Sequence, residues 1–341
     1  MNILTAIILA AGKGTRMNSN RAKVLFPIAG KAMVQRVVES AFKAGCESLC
    51  VVVGHQKESV VSLLEGDPRI SFAEQAQQLG TGHAVMMAQP YFQEPEQDVL
   101  VLSGDVPLLS PQTLQRMHRE HLENGFSCTV LTAFLDDPGR YGRILREPDG
   151  QISGIVEFKD ATAEQLAIKE WNTGIYCFNS TELFAALTQV SNSNNQQEYY
   201  LTDVLSILRS QGKKVGGVVL ENLVEASGVN SQEQLAELED QFVDCIRRQW
   251  LNSGVMIHNP KTVFIGEDVS LEADVEICQN CVIKGKTQIK AGSKVGPGCI
   301  IENSLLGENC TLKGHNILQN AKLPEGSVLP FSAQAIEGET P

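Results

Sequence analysis

A repeat of six residues runs through the C-terminal third of the chain, and few folds can accommodate that period. Aliphatic residues recur at every sixth position without a miss, at Ile265, Leu271, Ile277, Ile283, Ile289, Val295 and Ile301. A small or β-branched residue follows four positions after each of the first six, at Val269, Val275, Cys281, Thr287, Ser293 and Cys299. A period of six belongs neither to an α-helix nor to a single strand. It predicts a solenoid of triangular coils, in which each hexapeptide forms one face and directs its aliphatic residue inward.

The strict period ends after Ile301. The aliphatic residues shift by one position to Leu306, Leu312 and Leu318, and the pattern then dissolves into a polar, glycine-containing tail. Because each coil needs three hexapeptides, residues 263 to about 330 are expected to form roughly four coils.

The first ~225 residues show a different pattern, in which short apolar runs alternate with helix-like segments. We predict strands over 6–9, 49–54 and 99–105, and a helix over 32–44. Further strands are expected around 128–134, 174–178 and 215–220. This alternation predicts a Rossmann-like α/β domain with a mixed, mostly parallel sheet.

A helix is expected between the two regions. Ser231-Gln-Glu-Gln234 has the form of a capping box, and apolar residues follow it at helical spacing as far as Trp250. We therefore predict an α/β domain over 1–228, a linker helix over 229–253, a β-solenoid over 254–332 and a tail over 333–341.

Composition excludes several classes of protein. A formal charge of −12 argues against a broad basic surface for nucleic acid or anionic membrane. No apolar run approaches the roughly 20 residues that span a bilayer, and the N-terminus lacks the basic start of a signal peptide. A cytoplasmic protein without membrane insertion is therefore expected.

Nine scattered cysteines suit reduced, buried thiols. Zinc at Cys278-x-x-Cys281 is disfavoured because no further ligands complete the set, and Cys281 is expected to lie in the solenoid wall.

The N-terminal motif Leu9-Ala-Ala-Gly-Lys-Gly-Thr-Arg-Met17 follows the first predicted strand and is followed by Lys23-Val-Leu25. Two glycines allow a tight turn that directs backbone N–H groups at phosphate oxygens, and Arg16 and Lys23 add positive charge. Its spacing matches neither the Rossmann nor the Walker A fingerprint. A turn with two solvated cations would explain the glycines alone but explains the whole string poorly. The motif is therefore a candidate triphosphate-binding loop.

The motif resembles the signature of sugar-nucleotide pyrophosphorylases, and similar motifs follow in order along the chain. They are Gln75–His83, Ser103–Leu108, Gly139–Arg143, Ile155–Glu157, Asn172–Gly174, Glu198–Asp203 and Gly228–Asn230. Together they resemble the bacterial N-acetylglucosamine-1-phosphate uridyltransferases, which also carry hexapeptide repeats. The resemblance extends from residue 3 to about 330. It implies a left-handed parallel β-helix and, through that helix, a homotrimer.

The resemblance also implies the role of each matching position. Arg16, Lys23 and Asp105 would act on the phosphates as catalytic residues, and Asp105 and Asn230 would hold Mg²⁺. The nucleotide would be bound by Leu9, Ala10, Ala11, Gly12, Lys23, Gln75, Gly80 and Thr81. The sugar would be bound by Ser103, Gly104, Gly142, Glu157, Asn172 and Thr173.

Residue chemistry is compatible with these roles. Magnesium needs only one or two protein oxygens beside phosphates and waters, and Asp105 follows a predicted strand, where α/β folds place ligands. The alternative for Asp105 is a structural Asp-Val-Pro turn. His83 is expected to be structural, because an anionic sugar phosphate needs no general base.

The chain also departs from the family pattern. Ala22 stands where the family often has proline, and Ser103 where many relatives have tyrosine, which would leave one wall of the sugar pocket more open. The repeat region is short, and the C-terminal coils that carry acetyl transfer in two-activity members are not found. We therefore predict that this chain has no acetyltransferase activity.

The expected reaction joins UTP and N-acetylglucosamine 1-phosphate into UDP-N-acetylglucosamine and pyrophosphate, a precursor step for the cell envelope. One alternative keeps the chemistry but uses another hexose 1-phosphate, or dTTP or ATP. Another is a non-catalytic nucleotide-sugar-binding protein or trimeric scaffold, against which the intact charged positions argue.

Overall fold

A computed structural model describes residues 3–92 and 97–336, and the chain forms two compact units. The first consists of residues 1–27 and 31–234, and the second of residues 28–30 and 235–341. Each unit has its own buried apolar interior, two clusters in the first and one in the second.

The first unit is built on a nine-stranded sheet. Its strands are β1 (Ile3–Ala10), β2 (Ser48–Val53), β3 (Ile70–Glu74), β4 (Gln97–Ser103), β5 (Cys128–Phe134), β6 (Arg143–Arg146), β7 (Ile152–Val156), β8 (Glu170–Asn179) and β9 (Val215–Val219). Seven of them follow the order β9-β5-β8-β4-β1-β2-β3, and β6 joins β7 to β8. Strands β4, β1, β2 and β3 are parallel, whereas β8 runs antiparallel to both of its neighbours. The expected α/β fold with a mixed sheet is confirmed.

Helices cover both faces of this sheet. They are α1 (Met33–Ala44), α2 (Lys57–Leu64), α3 (Thr81–Ala88), α4 (Pro111–Asn124), α5 (Ala163–Leu166), α6 (Ser180–Leu187) and α7 (Asp203–Ser210). Apolar side chains of α1 and α4 belong to one buried cluster, and those of α3, α6 and α7 to the other. The central strands are therefore buried on both faces, which explains why they read as continuous apolar runs.

The predicted strand over 99–105 ends earlier than expected. Strand β4 stops at Ser103, so Gly104 and Asp105 lie in the loop that follows it. Strand β3 and the β6–β7 hairpin were not predicted by the apolar pattern. Shorter elements are the two-residue strands Pro27–Ile28 and Lys31–Ala32 and the 3₁₀ turns Thr15–Met17, Lys23–Leu25, Gln89–Tyr91, Leu223–Ala226 and Pro260–Thr262.

The second unit begins within helix α8 (Gln232–Asn252) and continues as three columns of short parallel strands. The first column is Met256–Ile257, Glu276–Ile277, Lys294–Val295, Thr311–Leu312 and Val328–Leu329. The second is Phe264–Ile265, Val282–Lys284, Ile300–Glu302, Ile317–Gln319 and Gln334–Ile336. The third is Ser270–Leu271, Gln288–Ile289, Leu305–Leu306 and Lys322–Leu323. The repeated aliphatic residues point inward and are buried, so the expected left-handed parallel β-helix is confirmed.

The prediction that the repeat dissolves after Leu318 is wrong. Leu323, Leu329 and Ala335 continue the inward column and are 3%, 2% and 0% exposed. A scan at period six loses them because the steps from Ile301 to Leu306 and from Leu318 to Leu323 contain five residues. At both short corners an asparagine takes up the left-handed conformation, Asn303 with φ 47° and Asn320 with φ 54°. The equivalent corner of the preceding longer coil has Gly285, with φ 64°, and the additional residue Lys286.

The cysteines are free thiols, as expected, and seven of the nine are buried. Cys281 is fully buried within the β-helix, which confirms its interpretation as a wall residue. Within residues 3–92 and 97–336, no cluster of three or more His, Cys, Asp or Glu side chains could hold a metal ion. No helix in these ranges is both long and apolar enough to cross a membrane.

Candidate active site

The loop after β1 folds back toward Lys23. Gly14 has φ 59°, and a Cβ at this position would lie 2.6 Å from the Cβ of Lys23. Both the positive φ and the close approach favour glycine here. The 3₁₀ turn Thr15–Met17 follows, anchored by the buried side chain of Met17. The loop thereby carries Arg16 and Lys23 at the carboxyl ends of β1 and β4, the edge where parallel α/β sheets bind ligands.

Four predicted residues from distant parts of the chain meet at this edge. Lys23 Nζ donates to Asp105 Oδ2 in a close ion pair and to Asn230 Oδ1 at 3.1 Å. Arg16 donates from a terminal guanidinium nitrogen to the same Asn230 oxygen at 2.8 Å. The side chains of Lys23 and Asp105 are 14% and 21% exposed, so the pair lies in a recess that remains open to a ligand.

Backbone contacts hold Asn230 beside Asp105. The Val229 N–H donates to the Asp105 carbonyl at 3.0 Å, and the Asn230 N–H donates to Gln234 Oε1 at 2.8 Å. Ser231 Oγ accepts from the Gln234 N–H at 3.2 Å, as a capping box requires. The predicted reciprocal contact is displaced by one residue, because the Gln234 side chain bonds to the N–H of Asn230. The start of α8 thus fixes a proposed metal ligand.

The arrangement fits a magnesium ion. The Asp105 and Asn230 oxygens already converge on one cation, the Lys23 ammonium. A carboxylate and an amide oxygen are hard ligands, and two of them suffice where phosphates and waters complete the coordination. A site with two protein ligands is compatible with the absence, among the described residues, of a cluster of three or more His, Cys, Asp or Glu side chains.

A cavity of about 290 Å³ adjoins this cluster. All eight residues predicted to bind the nucleotide line it, together with Ser103 and Asp105. The prediction missed four further lining residues, Val24, Gln78, Ala84 and Glu198. Gln78 and Glu198 lie inside motifs already recognised, Gln75–His83 and Glu198–Asp203, so those motifs contained a signal for them.

The predicted sugar residues form a second group beside the cavity. The Asn172 N–H donates to the Gly142 carbonyl at 2.9 Å, and a Cβ on Gly142 would lie 3.5 Å from Glu157 Oε2. A Cβ on Gly174 would lie 3.9 Å from Ser103 Oγ, which connects this group to the cavity wall. Gly142, Glu157, Asn172 and Thr173 do not themselves line the cavity.

A β-bulge shapes this second group. The register between β8 and β5 shifts between Asn172 and Tyr176, and bulges often reorient side chains next to active sites. Asn172 Nδ2 donates to Tyr176 Oη at 2.7 Å, and Asn172 Oδ1 accepts from the Gly174 N–H at 3.0 Å. Thr173 Oγ1 donates to the Leu131 carbonyl at 2.7 Å. These bonds fix the three residues before any ligand arrives.

Glu157 is the acidic member of the group. Burial raises the pKa of this carboxyl, the Thr202 hydroxyl bonded to it at 3.3 Å lowers the pKa, and nearby carboxylates raise it further. Glu157 is half-buried, and a carboxylate with spare lone pairs is a strong acceptor for ligand hydroxyl or amide protons.

Tyr141 was not predicted as a site residue, although it lies within the Gly139–Arg143 motif. Its ring lies 4.1 Å from that of Trp171 between centroids. Burial raises its pKa, the Asp105 charge raises it further and the Arg16 charge lowers it. Tyr141 therefore lies within electrostatic range of Asp105 and Arg16 in the charged cluster.

The sequence model of the nucleotidyl transferase family matches residues 5–252. This span contains the sheet, the glycine loop and all four residues of the charged cluster. The fold and the site together define a nucleotidyltransferase.

Curated proteins that are similar to this chain show which family of nucleotidyltransferases it belongs to. "Bifunctional protein GlmU" of Heliobacterium modesticaldum is 43% identical over 332 residues, covering 97% of this chain and 72% of the relative. "Bifunctional protein GlmU" of Syntrophotalea carbinolica is 45% identical over 329 residues, covering 96% of this chain and 68% of the relative. The chain belongs to the GlmU family.

Solved structures share the fold. A UDP-glucose pyrophosphorylase complexed with UDP-glucose superposes with a TM-score of 0.60 at 21% identity, covering 71% of this chain and 99% of that one. The apo form of a UDP-glucose pyrophosphorylase gives 0.58 at 20% identity, covering 72% and 99%.

Proposed function

We propose that this chain transfers the uridylyl group of UTP to N-acetylglucosamine 1-phosphate, giving UDP-N-acetylglucosamine and pyrophosphate. The observation that carries the proposal is the cluster of Arg16, Lys23, Asp105 and Asn230, of which Lys23 and Asp105 line the cavity. It combines two cations with two hard oxygen ligands beside a glycine loop, which suits a triphosphate whose α-phosphorus is attacked.

The nucleotide end of the reaction uses the backbone of Leu9, Ala10, Ala11 and Gly12 and the segment from Gln75 to Thr81. These residues line one cavity, which is large enough to receive a base and ribose. Glycine at position 12 leaves the space above the backbone empty, since a Cβ there would meet nothing within 4 Å. Phosphate oxygens can therefore approach the loop closely.

The sugar end uses Ser103, Gly104, Gly142, Glu157, Asn172 and Thr173. Glu157 accepts hydrogen bonds from sugar hydroxyl or acetamido groups. Gly142 lets its strand pack closely beside Glu157, since a Cβ there would lie 3.2 Å from the Ile155 side chain. The bonds that pre-order Asn172 and Thr173 reduce the entropy lost when the sugar binds.

The reaction is a single in-line displacement. An oxygen of the sugar phosphate forms a bond to the α-phosphorus of UTP while the bond to pyrophosphate breaks and its electrons leave with pyrophosphate. Arg16 and Lys23 stabilise the negative charge that spreads over the phosphates. No general base is required, because the attacking oxygen is already anionic. His83, at the base end of the site, takes no part in proton transfer.

Asp105 and Asn230 would hold Mg²⁺. When bound, this ion supplies positive charge that neutralises phosphate oxygens. The Lys23 ammonium that lies between the two oxygens is then free to turn toward phosphate.

The decisive experiment is pyrophosphate release by the purified chain with UTP and N-acetylglucosamine 1-phosphate, with and without Mg²⁺. We expect release only when all three are present. Panels of CTP, dTTP and ATP, and of glucose 1-phosphate and galactose 1-phosphate, test the alternative substrates. Binding of UTP without pyrophosphate release in any combination would instead support a non-catalytic nucleotide-sugar-binding protein.

The β-helix has a face suited to self-association. Phe264, Val282, Ile300 and Ile317 are stacked in register on the outside of one column, and Ile300 is 42% exposed. A continuous apolar stripe on a sheet marks an interaction surface. We propose that three copies of the chain associate through this column.

Nothing in the proposed chemistry requires a membrane or nucleic acid. UTP is a cytoplasmic metabolite, and buried reduced thiols suit a reducing compartment. We propose that the protein acts in the cytoplasm.

A further inference from the structure

The Gln75 side chain is almost completely buried at the base end of the cavity. It is 4% exposed and lines the cavity directly. Its backbone N–H donates to the Val53 carbonyl at 2.8 Å, which continues the β2–β3 ladder by one residue and fixes the Cα. A buried amide whose backbone is fixed can present only one of its two ends to a ligand.

Two neighbours decide which end that is. Gln75 Nε2 lies 3.0 Å from the Gly80 carbonyl oxygen and 3.1 Å from His83 Nδ1. A carbonyl oxygen can only accept, so the amide atom beside it must be the NH₂ group. The second neighbour of that nitrogen must then accept as well. His83 therefore carries its proton on Nε2 and has an unprotonated Nδ1.

Both neighbours are held in place. The Ala84 N–H also donates to the Gly80 carbonyl at 3.1 Å, and the Gly82 N–H donates to the Tyr199 carbonyl at 2.8 Å. The His83 ring lies on α3, 6.3 Å from the Tyr199 ring between centroids. Gly80 has φ 112°, and a Cβ there would lie 2.6 Å from the Tyr199 carbonyl oxygen. The turn can therefore pack against the Tyr199 segment only with glycine at this position.

With both amide hydrogens engaged, Oε1 is the end of Gln75 that remains for a ligand. It accepts no hydrogen bond from any residue in 3–92 or 97–336. We propose that His83 is a positioning residue that, with the Gly80 carbonyl, holds the Gln75 amide so that Oε1 selects a base with a hydrogen on N3. Uracil has that hydrogen, whereas N3 of cytosine is an acceptor and would face Oε1 unpaired. This inference rests on the proposed function, because it assumes that the cavity receives the base.

The tautomer can be measured independently of any activity. Long-range ¹H–¹⁵N correlation spectra of histidine-labelled protein in alkaline buffer distinguish Nε2–H from Nδ1–H, and a His83→Phe variant identifies the His83 signals. We expect the Nε2–H form. An Nδ1–H form would overturn the proposal, because Nδ1 could then not accept from Gln75.

Base selection is measured as the ratio of the dissociation constants of CTP and UTP, without sugar phosphate. We expect His83→Phe to lower this preference for UTP by about fivefold, the effect of one hydrogen bond, and Gln75→Leu to remove it. His83→Asn places an acceptor near the Nδ1 position and should restore most of it. His258→Phe, in the β-helix, is the matched control and should change nothing.

Turnover separates a structural role from a positioning role. His83→Phe should raise the KM for UTP while leaving kcat and the KM for the sugar phosphate close to wild type. An unchanged UTP preference in His83→Phe, or an equal loss for UTP and CTP in both His83 variants, would contradict the inference. A wild-type protein that prefers UTP but releases no pyrophosphate with any sugar phosphate would instead contradict the proposed function alone.

Discussion

Asp105 makes its side-chain contact with Lys23 at the centre of the charged cluster. Asp105→Ala would remove one of the two proposed metal oxygens and leave Lys23 without its carboxylate partner. Because the reaction depends on charge stabilisation, we expect kcat/KM for pyrophosphate release to fall by about 100-fold or more. Asp136→Ala is the matched control, since that side chain is 97% exposed and pairs with Lys169 at the surface. Turnover near wild type in Asp105→Ala would show that the metal assignment is wrong.

Glu157 gives a prediction about stability and pH. Burial raises its pKa in the folded protein, so folding favours the protonated form. The contribution of Glu157 to the free energy of unfolding is fully present at pH values below the pKa of glutamic acid in the unfolded chain. It is lost as the pH rises through the higher pKa of Glu157 in the folded protein. Glu157→Gln cannot ionise and keeps that stability.

We therefore expect Glu157→Gln to be more stable than wild type at pH 8 and similar at pH 4, measured as the free energy of unfolding in urea. The exposed Glu164→Gln serves as control and should show no such pH-dependent difference. A variant that is less stable than wild type at pH 8 would refute the desolvation argument. Sugar-dependent turnover should fall in the same variant, because a neutral amide is a weaker acceptor.

The residues of the site could be predicted from motifs, but the hydrogen bonds between them could not. The eight nucleotide positions and Asp105 were named from the sequence and line one cavity. The bonds of Lys23 to Asp105 and to Asn230 join residues 82 and 207 positions apart, a separation over which local patterns carry no information. Gln78 lies in the recognised Gln75–His83 motif, but its contact could not be read from the sequence, because only the fold brings its amide 2.5 Å from the Ala11 carbonyl.

At the scale of elements, the six-residue repeat predicts that neighbouring residues of one strand contribute very differently to stability. Ile289 points inward and is 1% exposed, whereas Gln288 points outward. Ile289→Ala should lower the free energy of unfolding by about 2–5 kcal/mol, because its neighbours Leu271 and Leu306 are held by the ladder and cannot close the cavity.

Gln288→Ala should change stability by about 0.5 kcal/mol or less. Denaturation of both variants followed by circular dichroism tests the pair. Equal losses would mean that the inward and outward positions are misassigned.

The elements that were predicted are those with strong local periodicity. Strands β1, β2 and β4 are buried on both faces and therefore appear as continuous apolar runs. The β6–β7 hairpin was missed because its strands have four and five residues and depend on pairing with β8. The predicted solenoid extends to residue 332, but the inward positions of Leu323, Leu329 and Ala335 were missed because they follow a second five-residue step.

At the scale of the whole molecule, the outward apolar column predicts the oligomeric state. Ile300→Lys combined with Ile317→Lys places two charges on the proposed contact, and desolvating them would prevent association. Light scattering after size exclusion should give a mass near the 37.1 kDa of one chain for this variant and three times that for wild type. Gln288→Lys, on another face, should remain trimeric. A trimeric double variant would exclude this column as the interface.

The absence of acetyl transfer stays a prediction. The chain spans 72% of the length of its Heliobacterium relative, whose name describes a bifunctional protein.

The short corners of the β-helix mark where its length per coil can change. Lys286 is the residue that the later coils omit, and its N–H donates to Asn303 Oδ1 at 3.0 Å in the coil that follows. The Asn320 N–H in turn donates to the Glu302 carbonyl at 3.0 Å, so coils of 18 and 17 residues stack without disturbing the inward columns. A binding peptide or a fluorescent tag grafted at Asn320 would therefore leave the stacking above and below it intact, which makes this corner the natural insertion site for an engineered loop.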